Sequence, residues 1–177
     1  MPIKLVKISA AAPTPMMHPA AALVFEKLRT IVRDGSGIDF LARCGDVLRP
    51  PGFVSEKDGV ATRSWHKTGR AFDYDQTNKS LVIVSEPKAG RQYFRTYLYC
   101  KPQDGSKGVK KTVRDYRGGS ASGYLFDFTA AAEAVGFKRI PAWTGWQQHY
   151  NRREFWHYQF DEGLTWKAAM DQVAQLK

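Results

Sequence analysis

This chain has little cysteine and no long apolar run, and each shortage excludes a class of protein. Its 177 residues contain 2 cysteines, too few for a disulfide scaffold. Their isolated positions indicate reduced, half-buried thiols, although the sequence leaves a bond between Cys44 and Cys100 open. No apolar run approaches the roughly 18 residues of a membrane span, so no spanning segment is expected. Lysines interrupt the N-terminal residues, where a Sec signal needs an unbroken apolar region of roughly 7 to 15 residues. We therefore expect no Sec signal, which leaves the location of the protein open.

The composition is that of an ordinary globular domain. Hydrophobic residues make up 43% and charged residues 25% of the chain, and the length suits one domain. We predict a single domain over 1–177 with its core over about 18–177. Lys and Arg outnumber Asp and Glu by 27 to 17, a net charge of +10, which favours nucleic acid, anionic lipid or an anionic cell-wall polymer as partner. No nucleic-acid motif is present, so we predict no nucleic-acid partner, and we expect a monomer.

Hydrophobic periodicity and turn residues predict an α+β fold in which an antiparallel sheet is flanked by helices. The segment 19–34 has the spacing of a core-packing helix that ends at Gly35. Further along, the sequence predicts a helical turn over 39–44, a strand over 46–49, an antiparallel meander of strands over 81–86, 92–100 and 109–114, a flexible connection over 117–123, a helix over 128–135, a strand over 154–160, and a C-terminal helix with Thr165 as its N-cap.

The most informative segment contains His66 and Asp73, seven residues apart. An imidazole and a carboxylate together suit Zn²⁺. The small residues Gly69 and Ala71 lie between them and allow the backbone to turn tightly enough for both side chains to converge on one ion. This spacing predicts two ligands of a metal site.

A zinc site needs a third protein ligand, and His157 is the best remaining candidate. The other histidines, His18 and His149, are predicted to belong to a helix entry and to an exposed loop. Glu154 lies three residues before His157, and a carboxylate beside a metal can take a proton from water and pass it to a leaving amine. Because residues three apart on a continuous strand face opposite sides, Glu154 must lie in a turn that enters the strand of His157.

The first motif resembles that of a known family. Ser64-x-His66-x-x-Gly69-x-Ala71-x-Asp73 is similar to the Ser-x-His-x-x-Gly-x-Ala-x-Asp of zinc D-Ala-D-Ala carboxypeptidases and dipeptidases, L-Ala-D-Glu endolysin peptidases and the related hedgehog-type domains. The resemblance implies a hedgehog/D,D-peptidase-like fold.

The second motif, Glu154-x-Trp156-His157, is similar to the Glu-x-Trp-His of the same family. The resemblance implies that His66, Asp73 and His157 bind Zn²⁺. It also implies that Glu154 is the catalytic base.

The family also carries an arginine at the end of an upstream strand, which binds the substrate carbonyl and the developing oxyanion. Arg49 is the nearest match and Arg63 is the alternative, and either guanidinium can stabilise charge that appears only in the transition state. Ser64, Arg63 and Trp156 are expected to bind the substrate or to support the ligands. The segment 81–114 matches neither motif and is predicted to be a β insertion.

The sequence thus predicts a zinc metallopeptidase that hydrolyses an amide bond in peptidoglycan stem peptides or their fragments. The motifs leave D,D-carboxypeptidase, dipeptidase and L-Ala-D-Glu endopeptidase activities open. The lack of a signal fits both a phage lysis enzyme released to the wall by other means and a cytoplasmic dipeptidase. The alternative hypothesis is a non-hydrolytic, zinc-containing module of the same fold that binds the wall or a protein.

Two further features support more than one interpretation. Trp143, Trp146 and Trp156 are predicted to form core or pocket wall, with direct substrate contact as the less favoured alternative. The basic run 107–117 is either a solvated hairpin or a contact for an anionic polymer.

Overall fold

The order of elements is that of an α+β protein. The structure is a computed structural model that describes residues 3–53 and 63–173. In chain order, its strands and α-helices are β1 (Val6–Lys7), β2 (Met16–Met17), α1 (Pro19–Ser36), β3 (Cys44–Asp46), β4 (Ala71–Tyr74), β5 (Leu81–Lys88), β6 (Arg91–Tyr99), β7 (Val109–Arg114), β8 (Ser120–Asp127), α2 (Phe128–Ala134), β9 (Lys138–Arg139), β10 (His157–Gln159) and α3 (Trp166–Gln172). All three sheets that these strands form are antiparallel, which confirms the predicted class.

The sheet that holds the candidate site has the strand order β3-β4-β10-β9. Its central strand β4 is buried along its whole length. Phe72 packs edge-on against Phe25 of α1, with ring centroids 5.1 Å apart, and stacks on Tyr158 of β10. Helix α1 therefore covers this sheet, and the β4–β10 register sets Asp73 directly opposite His157.

The second four-stranded sheet corrects the predicted meander. Its order is β5-β6-β8-β7, so β6 pairs with β8 and not with β7. Strand β8 contains residues that the sequence predicted as a flexible connection. This part of β8 is rich in Ser and Gly and lacks an apolar pattern, and it is ordered by its ladder with β7, where the hydroxyls of Thr112 and Ser122 are 2.9 Å apart.

The second sheet curls, because the turn between β7 and β8 returns to the free edge of β5. The backbone N–H of Ile83 donates to a carboxylate oxygen of Asp115 at 3.3 Å, and its carbonyl accepts from the N–H of Tyr116 at 2.7 Å. The curl encloses a small apolar cluster of its own, which consists of Val82, Tyr97, Ala121 and Leu125 with the half-buried Val84, Tyr99 and Val113 packed against it.

The main core lies between the two sheets and α1, and it begins earlier in the chain than predicted. Ile8, Ala10 and Met17 are buried members of it, so the residues before 18 belong to the folded unit. Cys44 and Cys100 are both buried and free, which resolves the open disulfide in favour of two thiols.

Two predicted boundaries near α1 are shifted. The helix runs past Gly35 and ends at Gly37, because Gly37 is the residue that adopts a left-handed conformation (φ 76°) and returns its N–H to the carbonyl of Arg33. The strand predicted over 46–49 is β3, which ends at Asp46.

The remaining helix predictions agree with the structure. His18 caps the entry to α1, since its Nδ1 accepts from the N–H of Ala20. Thr165 caps α3 through a hydrogen bond from the N–H of Ala168. In the described part of the chain, no helix is long and apolar enough to cross a membrane.

Candidate metal centre

The first motif folds into a tight turn that leads into β4. A 3-10 helix over Trp65–Thr68 begins at Ser64, whose Oγ accepts from the N–H of His66 at 3.3 Å. It ends at Gly69, where φ is 67°. A Cβ on Gly69 would lie 2.9 Å from the backbone nitrogen of His18. Only glycine meets both conditions, and the resulting turn directs His66 back toward β4.

Three side chains converge at the head of the β4–β10 pair. His66 Nε2 lies 3.1 Å from Asp73 Oδ1 and 3.1 Å from His157 Nδ1, and the last two atoms are 3.0 Å apart. All three residues are buried, with His66 only 1% exposed. The structure therefore brings together the three ligands predicted from two separate motifs.

The outer nitrogen of each imidazole has a partner that determines which nitrogen carries the proton. His66 Nδ1 lies 2.8 Å from the carbonyl oxygen of Val47, which can only accept, so this nitrogen is the donor. His157 Nε2 lies 3.3 Å from Gln159 Oε1 and donates in the same way. With neutral rings, the inner nitrogens of both histidines then carry lone pairs. Histidine ligands of metal sites are held in this manner by their second nitrogen.

Three lone-pair atoms at such short range need a cation between them. Either a proton or a metal ion can serve as that cation. Burial alone would lower the pKa of His66, but the Asp73 carboxylate outweighs it and raises this pKa. Burial alone would likewise raise the pKa of Asp73, but His66 and then His157 outweigh it and lower this pKa well below its usual range. The negative charge of Asp73 is thus maintained inside the protein, where a metal ion can replace the proton.

The size of the triangle fits a small tetrahedral ion. Zinc–nitrogen and zinc–oxygen bonds of about 2.0–2.1 Å at tetrahedral angles place neighbouring ligand atoms about 3.3 Å apart. The three edges here measure 3.0–3.1 Å. The buried cluster of His66, Asp73 and His157 can therefore bind a metal ion, and its two nitrogens and one carboxylate oxygen match the donors of catalytic zinc sites.

Glu154 lies in the turn that the sequence required. Its φ is 56°, a left-handed conformation that costs a non-glycine residue roughly 1–2 kcal/mol, and its carbonyl accepts from the N–H of His157 at 3.1 Å. Burial of the carboxyl raises its pKa from 4.5 to about 7, with the negative charge of Asp73 adding to the effect and His157 and Arg49 opposing it. A carboxyl with this pKa can accept and release a proton near neutral pH.

Arg49 lies beside the cluster, as predicted. Its Nε donates to Asp46 at 2.5 Å and its Nη1 to Ser64 Oγ at 3.4 Å, and its Nη2 lies 3.6 Å from the second carboxylate oxygen of Asp73. The alternative candidate, Arg63, is exposed. Ser64 thus supports the site twice, because it caps the turn of His66 and contacts Arg49.

Trp156 belongs to the packing behind the site. It is 7% exposed, stacks on Tyr150 with centroids 5.3 Å apart and meets Phe155 edge-on at 4.7 Å. The same loop is tied to the second sheet by Arg153, whose Nη1 donates to the hydroxyl of Tyr116 at 3.0 Å. The β7–β8 turn, which follows the predicted β insertion over 81–114, therefore supports the loop that presents Glu154.

A cleft of about 710 Å³ opens next to the cluster. None of the three clustered residues lines it, but two of their neighbours do: Trp65, which precedes His66, and Gln159, which accepts from His157. Trp143 and Trp146 line it, so two of the three predicted tryptophans form pocket wall, while Trp156 does not line this cleft.

The sequence analysis missed the partners of the two histidines. Gln159 carries a signal that would have identified it, since residues two apart on a strand share a face and it follows His157 by two. The carbonyl of Val47 carries no such signal, because any residue at that position supplies the same oxygen.

Comparison of the chain with protein-family models, with curated proteins and with solved structures found no match.

Proposed function

We propose that the protein is a zinc peptidase that hydrolyses an amide bond in peptidoglycan stem peptides, with a hedgehog/D,D-peptidase-like fold. The observation that carries this proposal is the buried triangle of His66 Nε2, Asp73 Oδ1 and His157 Nδ1, with edges of 3.0–3.1 Å. Three protein ligands with a carboxyl group nearby are the arrangement of a catalytic rather than a structural zinc site.

Two side chains beside the triangle, those of Glu154 and Arg49, have roles in the proposed hydrolysis. When bound, Zn²⁺ supplies Lewis acidity, which polarises a carbonyl and makes water nucleophilic near neutral pH. The carboxylate of Glu154 takes a proton from the attacking water and returns it to the nitrogen of the leaving amine. The guanidinium of Arg49 donates hydrogen bonds to the carbonyl oxygen as negative charge develops on it.

The choice of substrate rests on the two sequence motifs and on charge. Both motifs resemble those of peptidases that act on D-Ala-containing or L-Ala-D-Glu stem peptides, and a net charge of +10 favours an anionic polymer such as the cell wall. The curled second sheet supports the loop that carries Glu154. The segment 81–127 therefore contributes to the active site through this loop.

The test is digestion of isolated peptidoglycan and of D-Ala-D-Ala, with products identified by mass. Wild-type protein is incubated alone, with a chelator, and with zinc restored after chelation, beside Glu154→Gln as the matched variant. We expect release that the chelator stops and zinc restores, and no release by Glu154→Gln although it still binds zinc. The product masses then distinguish carboxypeptidase, dipeptidase and endopeptidase.

Two results would contradict the proposal. Stoichiometric zinc without cleavage of either substrate would favour the non-hydrolytic binding module. Cleavage by Glu154→Gln at the wild-type rate would show that another group is the base.

A further inference from the structure

The cleft beside the metal centre has a lining that the proposed chemistry does not use. Its walls come from four parts of the chain, which are the turn at Trp65, the β5–β6 turn at Gly90–Gln92, the loop over 140–146, and Gln159 at the end of β10. It is linked to the triangle through Gln159, which lines the cleft and accepts from His157 Nε2, although none of the three residues of the triangle lines the cleft.

Three of the eleven residues that line the cleft are tryptophans. Trp143 is 39% exposed, and Trp146 packs edge-on against Phe94 with centroids 5.3 Å apart while it also faces the cleft. No acceptor for the indole N–H of Trp65, Trp143 or Trp146 is found within residues 3–53 and 63–173. Flat apolar faces with free N–H groups at their edges suit a ligand that is apolar on its faces and polar around its rim.

The polar part of the lining narrows the class of ligand. The polar residues of the lining are Arg91, Gln92, Thr144 and Gln159, and none of the residues that line the cleft is acidic. A single arginine is too few for a nucleic-acid backbone, which needs several phosphate contacts.

An extended peptide is also disfavoured, because it would need unpaired backbone groups to add to. Two backbone N–H groups in the wall already have partners: that of Ala142 donates to the carbonyl of Gln92 and that of Trp143 donates to the carbonyl of Arg152, both at 2.8 Å.

We propose that this cleft binds the N-acetylated sugar rings of the glycan strand to which the stem peptide is attached. A pyranose ring has apolar C–H faces that stack on indoles and hydroxyl and amide groups around its rim. The volume of about 710 Å³ lies within the range of small-molecule sites and holds about two such rings. The inference rests on the proposed function, and it makes the natural substrate the glycan-linked peptide and not a free dipeptide.

The first test uses a soluble β-1,4 oligomer of N-acetylglucosamine and needs no catalysis. Three of the five tryptophans of the chain line the cleft, so binding is followed by intrinsic fluorescence. We expect saturable quenching, with affinity about tenfold weaker in Trp143→Ala. Leu23→Ala, which changes an exposed side chain of α1 outside the cleft, should match the wild type. If Trp143→Ala fails to fold, the affinity of Arg91→Ala for the oligomer is measured instead, and it should also be lower than that of the wild type.

The second test compares kcat/KM on a stem peptide linked to its disaccharide and on the same peptide after the sugars are removed. The wild type should favour the linked peptide by about tenfold, and this ratio should fall toward one in Trp143→Ala.

The outcomes separate the two proposals. Equal kcat/KM on the two peptides, with no quenching by the oligomer, would overturn the glycan cleft and leave the peptidase intact. Quenching without hydrolysis of either peptide would support the cleft and overturn the peptidase.

Discussion

Replacement of Glu154 by Gln should change the stability of the metal-free protein in a manner that depends on pH. Burial raises the pKa of this carboxyl from 4.5 to about 7. A group whose pKa is raised in the folded state stabilises the protein fully below its unfolded pKa, and this contribution is lost as the pH rises through the folded pKa. Above pH 7, the folded wild type must therefore hold a poorly solvated carboxylate that the variant lacks.

The size of the effect follows from that pKa. A change from 4.5 to about 7 corresponds to about 3 kcal/mol, and the remaining solvent contact of this half-buried side chain reduces it to about 2 kcal/mol. For a domain of this size, 1 kcal/mol moves Tm by about 2–4 °C. We expect Glu154→Gln to melt about 4–8 °C above the wild type at pH 8 and at about the same temperature near pH 4.5.

The assay is thermal unfolding of chelated protein at both pH values, with Glu133→Gln as the control for loss of an exposed carboxylate on α2. A gain in Tm that is the same at both pH values would refute the reasoning. So would a wild type that is the more stable protein at pH 8. Either result would mean that the carboxyl of Glu154 is solvated in the folded state and is not held ready as a base near neutral pH.

Three further variants test the rest of the site. At Gly69 the φ is left-handed and an added Cβ would lie 2.9 Å from the backbone nitrogen of His18. Gly69→Ala should therefore destabilise the protein by about 2–4 kcal/mol and lower Tm by at least 4 °C. The control, Gly163→Ala, has a left-handed φ of 76° in open space and should cost about 1 kcal/mol. Arg49→Lys should reduce kcat by about 100-fold without changing the zinc content. Loss of zinc in this variant would show that Arg49 supports the metal site and does not act on the substrate. Tyr116→Phe removes the acceptor of Arg153 Nη1, while Arg153 Nε keeps its bond to the carbonyl of Trp146. This variant should cost about 1 kcal/mol and lower turnover, and unchanged turnover would show that the second sheet does not support the site.

The clustering of His66, Asp73 and His157 could be predicted from the sequence because their pattern lies in short segments. His66 and Asp73 are joined by one tight turn, and the turn requires the glycine that the motif contains. Glu154 and His157 are three residues apart, so strand geometry alone required the bend that the structure shows at Glu154. Metal ligands on adjacent antiparallel strands need only the correct register to meet.

The second sheet could not be predicted in the same way. Strand β8 begins with a run of Ser, Ala and Gly that has neither alternation nor β-branched residues, and its place between β6 and β7 depends on pairing between distant segments. The return of the β7–β8 turn to Ile83 is equally nonlocal, and it is what brings Tyr116 to Arg153. The cleft depends on the same long-range arrangement, since its wall joins residues as far apart as Trp65 and Trp146.

The central claim is that His66, Asp73 and His157 form a metal site, and the measurement that tests it most directly is the zinc content of the purified protein after equilibrium dialysis against zinc. The account predicts one zinc per wild-type chain and none in His157→Ala, while Glu154→Gln keeps its zinc. A wild-type chain that binds no zinc, or a His157→Ala variant that binds as much as the wild type, would contradict it.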